Sequence, residues 1–124
     1  MTIYVKESSE SVLSGLSKMK AAMIEDYNQF MSNQTQMQKA FADGFEVTYG
    51  SKYIKIAEKT GGVLAFVVGV DTDKKFRKGD ILKPAGYNAP ARNAARGNVL
   101  DGNYAINWTG PLYLRNTTER YLRE

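Results

Sequence analysis

The sequence predicts an α+β fold: a long amphipathic N-terminal helix packed on a small antiparallel sheet, or partly open barrel, of five to six strands with one short inserted helix. Apolar residues recur every three or four positions up to residue 41, and a period of two follows from Phe45. Glycine-containing turns then separate several short apolar stretches. A chain of 124 residues suffices for one core, so we predict a single domain. Its parts are a helical arm over residues 1–44, a β unit over residues 45–115 and a C-terminal tail or short helix over residues 116–124.

The helical arm is defined by one stripe of apolar side chains. Its members are Val12, Leu16, Met19, Met23, Tyr27, Phe30, Met37 and Phe41, with an interruption at Gln34. Ser8 or Ser9 is the predicted N-cap, and Gly44 the predicted left-handed residue that ends the helix. The weak helix formers in "MSNQTQMQ" favour a break near residues 32–35, whereas an unbroken helix of about 33 residues would reach about 50 Å.

Two interpretations of this stripe stay open. It packs against the protein's own sheet, where methionine fills irregular gaps, or it forms a protein interface that drives self-association. The interface residues in the second interpretation are Leu16, Met19, Met23, Tyr27, Phe30 and Met37.

The β unit begins with a hairpin. "FEVTYG" and "KYIKIAEK" alternate apolar and polar residues on either side of a turn at Gly50 and Ser51. The continuous apolar run "VLAFVVGV" predicts a strand buried on both faces. "DILKPA" predicts a further strand that Pro84 ends or places at an edge, and "VLDGNYAINW" and "GPLYLR" complete the sheet.

The inserted helix is predicted from "NAPARNAARGN", residues 88–98. Asn88 is a favourable N-cap, Pro90 falls in the first turn, and Gly97 stands where a helix ends. Arg92 and Arg96 are four residues apart, so a helix would project both from one face. Paired guanidinium groups suit bidentate contact with phosphate or carboxylate.

The excess of positive charge lies in the second part of the chain. Residues 44–115 hold eleven basic and six acidic residues, whereas residues 1–43 hold four and five. Basic and aromatic residues alternate there, as in proteins that bind single-stranded nucleic acid. The predicted site for nucleic acid or another anion consists of Arg92, Arg96, Lys74, Lys75, Arg77, Lys78, Lys83, Tyr87 and Trp108. In the alternative interpretation, the arginines are solvated or pair with Asp101, Asp80 or an acidic residue of the helix, and Trp108 belongs to the core.

The chain has no cysteine and no histidine. This excludes disulfides, thiol chemistry, the usual zinc sites and histidine-activated nucleophiles. No phosphate-binding loop or dinucleotide motif is present, so we predict a non-enzymatic protein without cofactor or metal. The N-terminus carries acidic residues and the longest apolar run is far too short to span a membrane, so no membrane partner is expected.

Residues 75–110 and "GSKYIKI" at residues 50–56 resemble small uncharacterised proteins encoded by tailed bacteriophages. The resemblance implies a place in the bacterial host cytoplasm or in the phage virion. From the charge we predict an accessory protein that binds nucleic acid or another polyanion through its β unit. The alternative is an interaction or assembly module that uses the helix to bind a host or phage protein or a second copy of itself. A third hypothesis is a nucleotide phosphate bound by the two arginines.

Overall fold

Two helices and nine strands form the α+β fold that the sequence predicts, over residues 2–59 and 62–112 of a computed structural model. They are β1 (Ile3–Val5), α1 (Val12–Phe30), α2 (Thr35–Asp43), β2 (Phe45–Tyr49), β3 (Tyr53–Glu58), β4 (Gly62–Val68), β5 (Ile81–Leu82), β6 (Pro84–Gly86), β7 (Ala89–Pro90), β8 (Tyr104–Asn107) and β9 (Gly110–Pro111). The predicted tail or helix at residues 116–124 lies outside this described part of the chain.

The strands form three antiparallel sheets rather than one. Their orders are β1-β8-β9, β2-β3-β4-β5 and β6-β7, and none of them closes into a barrel. The hairpin predicted around Gly50 and Ser51 is confirmed as β2 and β3. The strand β1 was not predicted, because it lies in the segment assigned to the helical arm. It pairs Ile3 with Ile106 of β8 and so ties the N-terminus to the far end of the sequence.

The helical arm breaks where the weak helix formers stand. α1 ends at Phe30 and α2 begins at Thr35, with Asn33 at a positive φ of 66° between them. The N-cap is Ser11, whose hydroxyl accepts from the backbone N–H of Ser14, and not Ser8 or Ser9. Gly44 follows α2 but has a φ of −92°, so the predicted left-handed end is wrong. Neither helix in the described part of the chain is long and apolar enough to cross a membrane.

The apolar stripe of α1 packs against the protein's own strands. Leu16, Met19 and Met23 join one core cluster with residues such as Val67 and Ile106. Four of the predicted interface residues are therefore buried inside the chain, and the other two are exposed. The exposed fractions are 8% for Leu16, 1% for Met19, 0% for Met23, 8% for Tyr27, 59% for Phe30 and 45% for Met37.

Strand β4 is buried on both faces, as its continuous apolar sequence predicts. Leu64 and Val67 belong to the core under α1. Phe66 and Val68 belong to a second cluster, which Phe76 completes from the following loop. This second cluster supports the loop that carries most of the predicted basic residues.

Residues 88–98 do not form the predicted helix. Ala89–Pro90 is strand β7, and the segment after it runs beside β5. The backbone N–H of Arg96 donates to the carbonyl of Ile81 at 2.8 Å, and the N–H of Ile81 donates to the carbonyl of Gly97 at 2.8 Å. A two-turn helix has little stability of its own, so this long-range pairing overrides the local helix signals.

Candidate nucleic-acid interface

An open cleft of about 380 Å³ lies beside the turn between β2 and β3. Lys52, Tyr53 and Lys55 line it from β3 and the turn, and Asn88 lines it from the segment after β6. Because the side chains of β3 alternate between the faces of the sheet, Tyr53 and Lys55 project to the same side. We call this surface, together with the residues that contact these side chains, the basic cleft.

The ammonium group of Lys55 joins the two sides of the basic cleft. It donates to Asn88 Oδ1 at 3.0 Å and to the carbonyl oxygen of Tyr87 at 3.3 Å. It also lies 3.9 Å from the centroid of the Tyr87 ring, a cation–π contact. Tyr87 is nevertheless 64% exposed, so an aromatic surface stands next to a fixed positive charge.

Asp73 is the carboxylate that organises the adjoining loop. Its Oδ2 lies 3.1 Å from Lys52 Nζ, and Arg92 donates to both carboxylate oxygens at 2.9 and 3.1 Å. The backbone N–H groups of Lys75 and Phe76 donate to Oδ1 at 2.7 and 2.9 Å. The Arg92 hydrogen bond, followed by these backbone bonds, holds the pKa of Asp73 well below its usual range. Asp73 therefore stays ionised and orders two cations from different parts of the chain.

The guanidinium group of Arg92 has three partners. Besides Asp73 it donates to the hydroxyl of Tyr53, and its Cζ lies 4.9 Å from the Phe76 ring centroid. The hydrogen bond to Asp73 raises the pKa of Arg92 further above its usual value. Lys75 extends the group, because its ammonium donates to the carbonyl oxygen of Arg92 at 2.7 Å.

The basic cleft thus carries a net positive charge. Lys52 and Lys55 line it, Arg92 contacts Tyr53, and Lys75 contacts Arg92. Among the described residues, Asp73 is the only carboxylate that forms an ion pair with any of these four cations. Two of these four cations, Lys75 and Arg92, belong to the predicted site, whereas Lys52 and Lys55 do not. Asp73 brings Lys52 and Arg92 together.

The predicted pairing of Arg92 with Arg96 is wrong, since each has its own partners. Arg96 is half-buried and donates to the carbonyls of Ala94 and Leu112, both at 3.1 Å, and to Asn93 Oδ1 at 3.2 Å. Burial lowers the pKa of Arg96 from its usual value. Its guanidinium group therefore serves to hold the irregular segment that replaced the predicted helix.

The remaining predicted residues fall into three groups. Lys74 and Lys78 are exposed on the loop that follows Asp73. Arg77 forms a bidentate pair with Asp101 at 2.7 and 3.1 Å, which raises the pKa of Arg77. Lys83 is half-buried, and this burial, with the nearby Arg96, lowers the pKa of its ammonium group.

Trp108 lies away from the basic cleft. Its ring packs between the helices, with its centroid 5.1 Å from that of Tyr27 and 5.4 Å from that of Phe30. Its backbone N–H donates to the fully buried Asp26 at 2.8 Å. The alternative interpretation, in which Trp108 is a core residue, fits this position better than a nucleic-acid contact.

Sequence reasoning did not select Tyr53, Lys52 or Asp73. A signal for Asp73 was present in "DTDKKF", since an aspartate that accepts from backbone N–H groups two and three residues later is a common turn. Its ion pairs with Lys52 and Arg92 span long stretches of sequence and have no local signal. In residues 2–59 and 62–112, no three acidic side chains come close enough to hold a metal ion.

One family model matches residues 3–114, that of a family of unknown function (DUF7717). The match covers most of the chain, which therefore belongs to this family. No curated protein and no solved structure matches it.

Proposed function

We propose that this DUF7717 protein binds single-stranded nucleic acid in the basic cleft and performs no chemistry on it. The observation that carries the proposal is a chain of neighbouring cations: Lys52 and Arg92 pair with Asp73, Lys75 donates to the Arg92 carbonyl, and Lys55 lines the same cleft as Lys52. The resemblance to tailed-phage proteins extends the proposal to an accessory role in an infected bacterium or in the phage particle.

The cations and the ring have separate roles in this proposal. Lysines and arginine neutralise phosphates and release counterions, which provides affinity without base preference. The exposed ring of Tyr87 offers a surface on which a base stacks, worth about 1–3 kcal/mol. Since Lys55 is held against this ring, charge and stacking surface lie within one nucleotide of each other.

A single strand suits the basic cleft better than a duplex. The cations stand on strands and loops, and neither α1 nor α2 supplies any of the four. A duplex read through its major groove needs a protruding helix or ribbon, whereas a concave surface with an exposed ring accepts splayed bases.

The test is fluorescence anisotropy with a labelled single-stranded oligonucleotide of about 12 nucleotides and its duplex, over a salt series. We expect the single strand to bind more tightly and the affinity to fall with salt. Replacing both Lys55→Gln and Lys75→Gln should lower the slope of log affinity against log salt by about 1.4, since each phosphate contact contributes about 0.7.

The matched control is the pair Lys6→Gln and Lys39→Gln, which removes the same charge from the segment after β1 and from α2. We expect its salt slope to equal that of the unaltered protein. Absence of binding at low salt, or an equal loss in the control pair, would contradict the proposal.

A second candidate function is self-association through the edge of the four-stranded sheet. Within the described part of the chain, no strand pairs with the outer side of β2, and Val47 and Tyr49 on it are 37% and 59% exposed. With Leu13 of α1, which is 60% exposed, they border an apolar groove of about 210 Å³. An exposed apolar edge strand is a template for a second copy. Light scattering should then give a dimer that Val47→Lys converts to a monomer, and a monomer in both proteins would reject this candidate.

A further inference from the structure

A pocket of about 670 Å³ lies on the side of the molecule where α2 meets the ends of β3 and β8. Its walls are largely apolar and aromatic, and its volume falls in the range of small-molecule sites. The residues that matter for its chemistry are Tyr27, Met37, Phe41, Glu58, Leu64 and Trp108.

The aromatic walls hold one another in place. The rings of Tyr27 and Phe41 stack with centroids 4.2 Å apart and an interplanar angle of 10°. Trp108 meets Tyr27 edge-on, at 5.1 Å and 79°, and lies 6.0 Å from Phe41. Such mutually packed rings present fixed faces, and electron-rich ring faces attract cations.

Glu58 places a carboxylate in this aromatic pocket. The residue is only 9% exposed, and its Oε2 has no hydrogen-bond partner within residues 2–59 and 62–112. Gly44 makes room for the other oxygen, because a Cβ on Gly44 would lie 2.7 Å from Glu58 Oε1. An ionised carboxylate that is buried without a partner is costly, so this position calls for a positively charged ligand.

The other charged groups at the pocket do not satisfy Glu58. Asp43 pairs with Lys39 at 2.9 Å, and Glu46 on β2 repels the Glu58 charge. Lys59 also lines the pocket but is exposed, and it forms no ion pair with Glu58 among the described side chains. One unpaired carboxylate suits one N–H-bearing cation, whereas a divalent metal would need several oxygen ligands.

We infer that this pocket binds a small organic amine in its protonated form, with the ammonium group donating to the carboxylate of Glu58 and the apolar body lying against Trp108, Tyr27 and Phe41. This site is separate from the basic cleft and is selective for the opposite charge. The protein would then carry an anion-binding surface and a cation-binding pocket on different elements.

The chain provides its own reporter, since Trp108 is its one tryptophan. The test compares two probes of matched shape, protonated cyclohexylmethylamine and neutral cyclohexylmethanol, by titration of tryptophan fluorescence at about pH 8, where carboxylates are ionised. We expect a saturable change with the amine and a dissociation constant at least about tenfold lower than that of the alcohol, equivalent to about 1.4 kcal/mol.

Glu58→Gln keeps the shape of the side chain and removes its charge. We expect it to bring the affinity ratio of amine to alcohol close to one, while Glu25→Gln, on the exposed face of α1, leaves the ratio unchanged. Both variants should keep the oligonucleotide affinity of the basic cleft, so failure of this inference is distinguishable from failure of the proposed function.

A measurement on the unaltered protein covers the case in which Glu58→Gln does not fold. Lowering the pH protonates Glu58, so the affinity for the amine should fall while that for the alcohol stays constant. Equal affinities for the two probes, an unchanged ratio in Glu58→Gln, or no saturable fluorescence change would each overturn the inference.

Discussion

At the scale of single residues, Asp73 and Glu58 show how differently the same chemical group is placed in one small protein. Asp73 accepts hydrogen bonds from two cations and two backbone N–H groups. Glu58 is buried with one oxygen unpaired. The pKa of Asp73 is lowered by its partners, whereas burial, followed by repulsion from Glu46, raises the pKa of Glu58. The two carboxylates therefore affect stability in opposite directions as pH changes.

We predict that Asp73→Asn lowers the melting temperature at pH 7. The depressed pKa of Asp73 means that its carboxylate stabilises the fold above the unfolded-state pKa of about 3.9, and that this contribution is lost as pH falls toward the folded-state value. The difference between the two proteins should thus narrow near pH 3. The melting temperatures are measured by thermal unfolding followed by circular dichroism. The control is Asp71→Asn, at an exposed neighbouring position, for which we expect no change in melting temperature. A constant difference at all pH values would contradict the ionic role of Asp73.

For Glu58 we expect the opposite dependence of stability on pH. Because its folded-state pKa is raised, ionisation of Glu58 costs stability, and the fold weakens as pH rises through that value. Glu58→Gln should therefore raise the melting temperature at pH 8 and leave it unchanged near pH 3, where the carboxyl group is protonated in both states because the unfolded-state pKa is about 4.3. Glu25→Gln, on the exposed face of α1, provides a control without effect. A lower melting temperature for Glu58→Gln at pH 8 would show that the carboxylate is satisfied.

At the scale of elements, local sequence signals succeeded where neighbours in sequence decide the structure. The hairpin β2–β3, the buried strand β4 and the break between α1 and α2 were predicted from period, turn residues and helix propensity. The local signals gave a wrong prediction at residues 88–98. The capping pattern there is that of a helix, but the backbone forms hydrogen bonds with Ile81 and Lys83. Strand β1 was not predictable from local sequence either. Three residues are too few to show an alternation of apolar and polar side chains, and the strand's partner, Tyr104–Asn107, lies far away in the sequence.

A substitution at Gly97 tests the structure of residues 88–98. Its φ is +151°, and a Cβ there would lie 2.6 Å from Tyr104 Cβ, so an added methyl group collides with a buried residue. We predict that Gly97→Ala lowers the free energy of unfolding by more than about 1 kcal/mol, because alanine at a positive φ is strained and its methyl group has no room here. Urea denaturation measures this loss. Gly86→Ala, where a Cβ meets nothing within 4 Å, should change stability by no more than about 0.5 kcal/mol.

At the scale of the whole molecule, the fold class and the basic character of the β unit were predictable, and the composition of the site was not. The sequence shows where the lysines and arginines stand, but it does not show which carboxylate pairs with each of them. In the structure, Arg92 donates to Asp73, Arg77 donates to Asp101, and Arg96 donates to backbone carbonyls. These pairings depend on which loops the fold brings together, and the second core cluster under Phe76 sets that arrangement. The same holds for the aromatic pocket, whose members come from α1, α2, β3, β4 and the turn after β8.

The division into a helical arm and a β unit gives the last prediction. The two parts share one core, since Met19 and Met23 of α1 pack with strand residues and Ile3 pairs with Ile106. A chain that begins at Phe45 would expose this core, so we expect it to show no cooperative thermal transition. Adding residues 1–44 as a separate peptide should restore the transition in a concentration-dependent manner, because the peptide supplies the missing face of the core. A cooperative transition in the shortened chain alone would mean that the β unit is an independent domain. The helices would then be an appendage available for partners, as the interface interpretation of the apolar stripe requires.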